Sequence, residues 1–284
     1  MKMLWLLFNV MSNAWLIIAH NEFGILQQLL SQLDAPECDF FVHIDKKVKS
    51  LPDLKVAQGR LFLLEKRIDV RWGHVSQIET ELHLLETALS TGRYDHYHII
   101  SGTHLPLKPI SAILAFFEKH VGEVVLRSWA PNEGDADFKL RRYHFPIRNF
   151  KSANSCCRTV CQFTWRCVIG IQRVLGIRHF KDHVFFKSDN WMSFTPEAAE
   201  YLVSRKKEIL KKYRWSFCAD EYFAATELKE AGNMFKLYDC QHLLFVDFID
   251  GIPRTLFLDE TPELRKTEYL FARKFSESTR FKKA

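Results

Sequence analysis

Ala14-Trp15-Leu16-Ile17-Ile18-Ala19 is an unbroken apolar run and reads as a strand buried on both faces. Residues 22–33 come next, with helical spacing. Asp39-Phe40-Phe41-Val42-His43-Ile44 is a second buried strand, ending at Asp45-Lys46-Lys47. Residues 61–64 read as a third strand, followed by a loop at Arg71-Trp72-Gly73, and residues 76–89 read as a helix. His98-Ile99-Ile100 is a fourth strand, ending at Ser101-Gly102. Strand and helix alternating with short connections predict an α/β domain with a mostly parallel sheet. Such sheets bind ligands outside the carboxyl ends of their strands. His20, Asp45, Arg71 and Ser101 are therefore expected to line one crevice.

The second half is less regular. Residues 123–126 read as a strand, followed by a polar loop over 131–137. Thr195-Pro196-Glu197 starts a helix, with Thr as N-cap and Pro in the first turn. Ala219-Asp220-Glu221 opens another helix over residues 222–231, and residues 242–248 read as a late strand. The 284 residues hold 40 Lys+Arg against 34 Asp+Glu, a formal charge of +6. Hydrophobic residues make up 47% and charged residues 26%, which excludes disordered, collagenous and coiled-coil classes. No apolar run approaches the 18 or so residues of a spanning helix. The charge excess is too small to argue for nucleic acid. The expectation is one large domain over residues 12–276, with a basic tail over 277–284.

Seven cysteines, four of them at Cys156, Cys157, Cys161 and Cys167, do not form an extracellular disulfide framework. Reduced thiols in the cytoplasm are the expectation. The apolar run from Met3 to Met11 admits two readings, a short signal segment or sequence ahead of a true start at Met11.

No GxxxxGK[ST], GxGxxG or HExxH string is present, which removes most P-loop, Rossmann and zincin enzymes. Cys157 and Cys161 with His179 and His183 imitate a zinc pattern, but the gap is filled by a helical repeat. On that helix Arg158, Gln162, Arg166 and Arg173 share one face. Val160, Phe163, Cys167, Ile171, Val174 and Leu175 share the other. The expectation is that the apolar face and its cysteines pack onto the core. The alternative is that the segment Arg158 to Arg178 lies on an anionic membrane surface. Asp135-Ala136-Asp137 is the kind of pair that can hold a divalent metal against a diphosphate, but it falls in a polar loop rather than at a strand end. Asp220-Glu221 is either a helix-dipole pair or a catalytic carboxylate. Arg254 and the pair Arg273-Lys274 suit a diphosphate, or belong to a solvated basic tail.

In order and spacing these segments resemble the family-14 glycosyltransferases, which include the branching β-1,6-N-acetylglucosaminyltransferases and the peptide O-xylosyltransferases. The resemblance covers residues 14–275. It is carried by Ala14-Trp-Leu-Ile-Ile-Ala-His-Asn21, Val42-His-Ile-Asp-Lys-Lys47, Asp69-Val-Arg-Trp-Gly73 and Ser101-Gly-Thr-His-Leu-Pro-Leu107. Tyr143-His-Phe145, Ala219-Asp-Glu-Tyr-Phe223 and Leu270-Phe-Ala-Arg-Lys-Phe275 complete it. The chain is most similar to the bacterial branch.

The resemblance implies a GT-A-type fold, with a nucleotide half over about 12–125 and an acceptor half over about 126–276. It implies inverting transfer from a UDP-sugar, with GlcNAc or xylose as the sugar, to a hydroxyl of a glycan acceptor, without a metal or other cofactor. The setting it implies is surface polysaccharide or lipopolysaccharide synthesis, in the cytoplasm or at the inner face of the membrane. Glu221 falls on the family's catalytic base, and Arg254 and Lys274 on its diphosphate-binding pair. Ile18, His20, Asp45 and either Arg71 or Trp72 fall around the nucleotide. Ser101, His104, Trp191, Asp220 and Lys139, with Arg141 or Arg142 as alternatives to Lys139, fall near donor sugar or acceptor. Two departures stand out: His104 replaces the Asp of an SGxDxP string, and Ser188-Asp189 replaces Gly-Ser. They leave open a catalytically inactive sugar-binding protein of the same fold. The chemistry suits the residue types, since inversion needs one base for the acceptor hydroxyl and cations for the leaving diphosphate.

Overall fold

The computed structural model describes residues 11–278. The apolar run over residues 3–10, with both of its readings, and the tail from Thr279 onward lie outside the described residues. The chain begins β1 (Asn13–Ala19), α1 (Phe23–Leu33), β2 (Cys38–Ile44), β3 (Arg60–Leu63), α2 (Ser76–Thr91), β4 (His96–Ser101). Every residue of β1, β2 and β4 is buried. Such strands need neighbours on both edges and layers on both faces, and the parallel order β3-β2-β1-β4 supplies the edges. In register, Ile18 sits beside His43 on one side and Ser101 on the other, so the carboxyl ends open on one edge. α1 turns Ile25, Leu26, Leu29, Leu30 and Leu33 inward, and α2 turns Ile78, Leu82 and Leu85 inward. A Cβ at Gly102 would stand 2.7 Å from the Ala19 Cβ, so glycine is what lets β1 and β4 end side by side.

Next come β5 (Leu105–Pro106), α3 (Ile110–Lys119), β6 (Glu123–Leu126), α4 (Glu133–Lys139), α5 (Ser155–Val174) and β7 (Ser193–Phe194). After them follow α6 (Pro196–Ser204), α7 (Lys206–Lys212), α8 (Phe223–Glu230) and β8 (Lys236–Asp239). β7 runs antiparallel to both β4 and β6, and β6 is parallel to β8. The seven-stranded sheet is thus parallel except for β7, a mixed α/β architecture consistent with the GT-A-like expectation. Thr195 caps α6 as its sequence predicts, its hydroxyl accepting from the Ala198 N–H at 3.2 Å.

The last part contains β9 (Leu244–Val246), β10 (Phe248–Ile249), β11 (Ile252–Pro253), β12 (Leu256–Phe257), β13 (Phe271–Arg273) and β14 (Phe275–Ser276). β13 lies between β5 and β9, and β14 beside β12. The Phe275 N–H donates to the Thr103 carbonyl at 3.0 Å. The segment of β13 and β14 is thereby laid across the carboxyl edge of the main sheet.

Three expectations are corrected. Residues 131–137 are not a loop, because Asn132 caps α4 by accepting from the Asp135 N–H at 3.0 Å. A helix of seven residues is too short to show an apolar period, so only its cap and its acidic first turn announced it. The late strand over 242–248 is broken into β9 and β10. Finally, α5 is amphipathic, but its apolar face does not pack onto the core. Its buried side is Cys161, Ile169 and Gln172, whereas Val160, Phe163, Ile171 and Val174 are exposed, as are Cys156, Cys157 and Cys167. The polar residues decide the orientation. Gln172 exchanges two hydrogen bonds of 2.8 Å with the Tyr143 backbone, Trp165 donates to His144 at 2.8 Å, and Gln162 donates to the Phe150 carbonyl at 3.1 Å. The glutamine bonds satisfy backbone groups of Tyr143 and Phe150 in an irregular segment, the tryptophan bond holds the His144 ring, and the apolar stripe is left facing outward.

Candidate active site

The crevice at the carboxyl edge is built first by strand ends. Ile18 is buried in β1, and the Asp45 N–H donates to the Ala19 carbonyl at 2.9 Å, setting Asp45 beside His20. The Asp45 carboxylate accepts from the Lys47 N–H at 2.8 Å and from its amino group at 2.6 Å. That amino group also reaches Asp69 at 3.0 Å, and Asp69 accepts from Arg71 at 2.7 and 2.9 Å. This relay of alternating charge pins the loop at 69–73 and engages the Arg71 guanidinium. Asp69 feels burial first, but the hydrogen bonds from Arg71 and Lys47 outweigh it and hold its carboxyl at about 2.

Trp72 stays exposed, its ring edged by Phe217 and Phe150, with the Lys151 amino group 3.8 Å from its centroid. Gly73 takes φ +71°, and a Cβ there would strike the Phe217 ring at 2.6 Å. The Gly73 carbonyl then accepts from the Cys218 N–H at 3.0 Å, tying the loop at 69–73 to the segment that carries Asp220 and Glu221.

β13 and β14 deliver Lys274 to this edge. Burial lowers its pKa, and Arg273 and Lys151 lower it further. The His20 pKa is likewise lowered by burial and then by Lys274, so the two side chains sense one another. The ion pairs of the described residues include none to Lys274 or Lys151. Arg254 differs. It donates to Asp247 at 2.6 Å and to Glu260 at 2.8 Å, and these carboxylates raise its pKa.

On the opposite side, a 3₁₀ turn over Ala219–Glu221 precedes α8. Glu221 is 36% exposed at its side chain, and its carboxylate accepts from Lys139 at 2.8 Å with Lys187 at 3.5 Å. Asp135 joins the same cluster, 2.9 Å from Lys187, 3.2 Å from Lys139 and 2.5 Å from the Tyr222 hydroxyl. Burial pushes the Asp135 carboxyl up, but hydrogen bonds from Lys187 and Tyr222 together with Lys139 bring it below the ordinary range. The Lys139 pKa is raised because Glu221 and Asp135 override its burial.

Asp220 turns the other way. Its carboxyl points inward, with Asn190 3.4 Å away, and loss of water around it followed by Glu221 raises its pKa to about 7. Behind it the Arg273 guanidinium lies 4.7 Å from the Trp191 ring, its Nε buried and without a partner among the described atoms. Desolvation lowers the Arg273 pKa to about 10.

Ser101, His104 and Trp191 form a buried wall rather than an open surface. His104 Nδ1 lies 2.7 Å from the Ser101 hydroxyl and accepts from the Ser101 N–H at 3.1 Å, closing a turn. An Asp carboxylate would accept the same bond. Arg142 lies away from Glu221, bonding the Gln172 and Ile177 carbonyls at 3.1 and 2.8 Å and Asp137 at 3.2 Å. Of the three alternatives at this position, Lys139 is the one that reaches Glu221, while Arg141 pairs with Glu133 at 2.8 Å.

Asp135 and Asp137 lie two apart on α4, about 200° around the helix. Their carboxylates diverge, Asp135 into the lysine cluster and Asp137 toward Arg142 and, at 2.9 Å, Arg178. The zinc-like quartet is dispersed as well. Cys157 is exposed, Cys161 bonds the Pro146 carbonyl, and His183 pairs with Glu230 at 2.5 Å. Among the described residues no three His, Cys, Asp or Glu side chains gather as metal ligands. Sequence reasoning missed Lys187 and Lys151. Lys187 adjoins the Ser188-Asp189 string, which was its one signal.

A family model described as Core-2/I-Branching enzyme matches residues 13–248. Among curated proteins none matches the chain. Arg254 and Lys274 lie beyond the matched range; Lys274 is placed at the crevice by its neighbours His20 and Lys151, whereas the side-chain pairs of Arg254 are to Asp247 and Glu260.

Proposed function

This chain belongs to the Core-2/I-branching enzyme family, and from that premise we propose that it moves a sugar from a UDP-sugar to a glycan hydroxyl with inversion. The family is one of glycosyltransferases, so sugar transfer to a glycan is the general activity. The finer reading is GlcNAc or xylose as the sugar and surface polysaccharide or lipopolysaccharide synthesis as the setting, in a bacterial-type enzyme working in the cytoplasm.

One observation carries this reading. A partly exposed carboxylate, Glu221, and a lysine without an ion pair among the described residues, Lys274, lie around the same two neighbours: Lys151 acts on Lys274, and Lys151 and Glu221 both act on Cys218. The acceptor oxygen attacks the anomeric carbon opposite the leaving group, and its proton passes to Glu221. The bond from the anomeric carbon to the β-phosphate oxygen breaks, and its electron pair leaves on UDP. Lys139 and Lys187 hold the Glu221 carboxylate in place. Lys274 meets the charge developing on the diphosphate. Arg254 assists by exchanging part of its carboxylate clamp for phosphate oxygens. The exposed Trp72 ring and Asp45 face the uridine, and Arg71 supports them through Asp69. The chemistry is metal-independent in this reading, since Asp135 and Asp137 diverge and each is matched by cations. His104 and Asp189 have structural partners of their own: His104 closes the Ser101 turn, and Asp189 bonds Arg127 at 2.6 Å. Both departures therefore leave the Glu221 cluster intact, which favours an active enzyme over a silent sugar-binding protein.

The test is a panel of UDP-sugars read by calorimetry in excess EDTA, followed by UDP release with a glycan acceptor panel. At least one UDP-sugar is expected to bind, and release is expected to need an acceptor. Binding that requires added manganese removes the metal-independent reading, and binding without release under any acceptor favours the silent protein.

A further inference from the structure

α5 presents two unlike faces. Its inward face, Cys161, Trp165, Ile169 and Gln172, rests on the small cluster of Ile147, Phe217 and Cys218, beside the crevice. Its outward face carries Val160 at 59% exposure, Phe163 at 68%, Ile171 at 57% and Val174 at 86%, with exposed Cys167 between them. At 100° per residue these five positions form one continuous stripe along a helix about 30 Å long. A contiguous apolar stripe of this kind on a protein surface marks an interaction site.

The charge around the stripe identifies what it meets. Between Asp137 and Asp182 the chain has ten Lys and Arg and no Asp or Glu, while the remainder of the chain is net acidic. Arg166 and Arg173 flank the stripe, and neither has an ion-pair partner among the described residues. Long basic side chains beside an apolar face can keep their stems in the acyl region and their heads at the phosphates. We propose that α5 is an interfacial helix that docks this protein on an anionic lipid bilayer, Val160, Phe163, Cys167, Ile171 and Val174 entering the headgroup boundary. A second copy of the chain fits poorly. A two-fold contact through this stripe brings Arg166 and Arg173 of both copies together, with no acidic residue on α5 to match them. Docking also sets the crevice at the bilayer surface, because the cluster under α5 runs directly into Cys218 and the turn at Asp220 and Glu221. The inference goes beyond the proposed sugar transfer and does not depend on it.

The experiment is flotation of the full chain with phosphatidylcholine vesicles with and without phosphatidylglycerol, at low and high salt. Binding is expected only to the anionic vesicles and is expected to weaken with salt. A basic residue near an anionic surface contributes about fivefold in affinity. Arg166→Glu with Arg173→Glu is therefore expected to lose tenfold or more. Phe163→Asp with Ile171→Asp is expected to abolish binding even at low salt. Thermal unfolding and UDP binding of each variant, measured alongside, are expected to match those of the parent chain. Absence of flotation with anionic vesicles overturns the proposal, as does flotation that survives both variants. A dimer in light scattering that disappears in Phe163→Asp with Ile171→Asp, without vesicle binding by the parent, makes a second copy the occupant and also overturns it.

Discussion

The half built on β1 to β4 and the excursion between β6 and β7 that carries α4 and α5 are ordered by opposite means. In the first half apolar residues choose the inside. β1, β2 and β4 are buried throughout, and the polar site residues are left at the strand ends. In the excursion polar residues choose it. Gln162, Trp165 and Gln172 bond the backbone and side chains of residues 143–150, while Phe163 and Val174 face outward. The crevice lies between the two regimes, with Lys274 and Asp45 on one wall and Glu221 with Lys139 on the other. An apolar period thus reports which residues share a face, and the hydrogen-bonding needs of neighbouring irregular backbone decide which face is covered.

The largest expected effect tests the wall where Lys139 of the excursion meets Glu221. Glu221→Gln keeps shape and hydrogen bonding but cannot take a proton, so turnover is expected to fall about 10²–10⁴-fold while UDP-sugar binding persists. Asp220→Asn serves as its control in the same turnover assay. If turnover survives in Glu221→Gln and dies in Asp220→Asn, the base is the inward carboxylate and the division between outward Glu221 and inward Asp220 is wrong.

Next in size is the opposite wall, where the last part of the chain lays Lys274 against the edge of the first half. Lys274→Ala removes a cation with no carboxylate partner among the described residues, and UDP affinity measured by calorimetry is expected to drop about 10- to 100-fold. Arg254→Ala is expected to cost less, because Asp247 and Glu260 already balance its charge. Equal losses at both positions would mean that the carboxylate clamp opens completely on binding.

A stability pair addresses the two regimes directly. Gly102→Ala forces a Cβ to within 2.7 Å of the Ala19 Cβ and is expected to destabilise by about 1–3 kcal/mol in urea unfolding. Phe163→Ser, on the outward stripe, is expected to stay within about 0.5 kcal/mol of the parent. A large loss at Phe163 would show that the stripe is covered by the chain itself.

The last comparison is a pH dependence of stability. Asp220 titrates near 7 in the folded chain, against about 4 in an unfolded one. Between those values the folded state holds more protons, so this group makes stability fall as pH rises from about 4 to about 7, with no further loss above. Asp220→Asn removes that contribution. Its stability relative to the parent is expected to be higher at pH 8 than at pH 4, and a difference independent of pH would show that Asp220 is not held in an enclosed, proton-retaining site.

Much of the wall that carries His20 and Asp45 was legible because its signals are local. Six apolar residues before His20 and the largely apolar six before Asp45 announce buried parallel strands, and a parallel sheet places the residues just past those strands on one edge. Glu221 and Lys274 came from resemblance rather than period, since nothing in a turn of three residues or in a two-residue strand has a period to read. Lys151 was not legible at all, and Lys187 only as the neighbour of the Ser188-Asp189 string. Each lies in an irregular stretch, and only the approach of Trp72 to one and of Glu221 to the other gives it a place.

Residue type and spacing alone determined the parallel core, the Thr195 cap and the amphipathic character of α5, because each depends on neighbours within a few positions along the chain. Tertiary structure alone decided which side of α5 is covered, that Glu221 faces outward while Asp220 turns inward, and that Lys274 returns to the mouth of β1 and β4. Those outcomes rest on contacts such as Phe275 with Thr103 and Lys139 with Glu221. Such contacts join residues far apart in sequence, and no local pattern encodes which distant backbone group a given polar side chain or strand will satisfy.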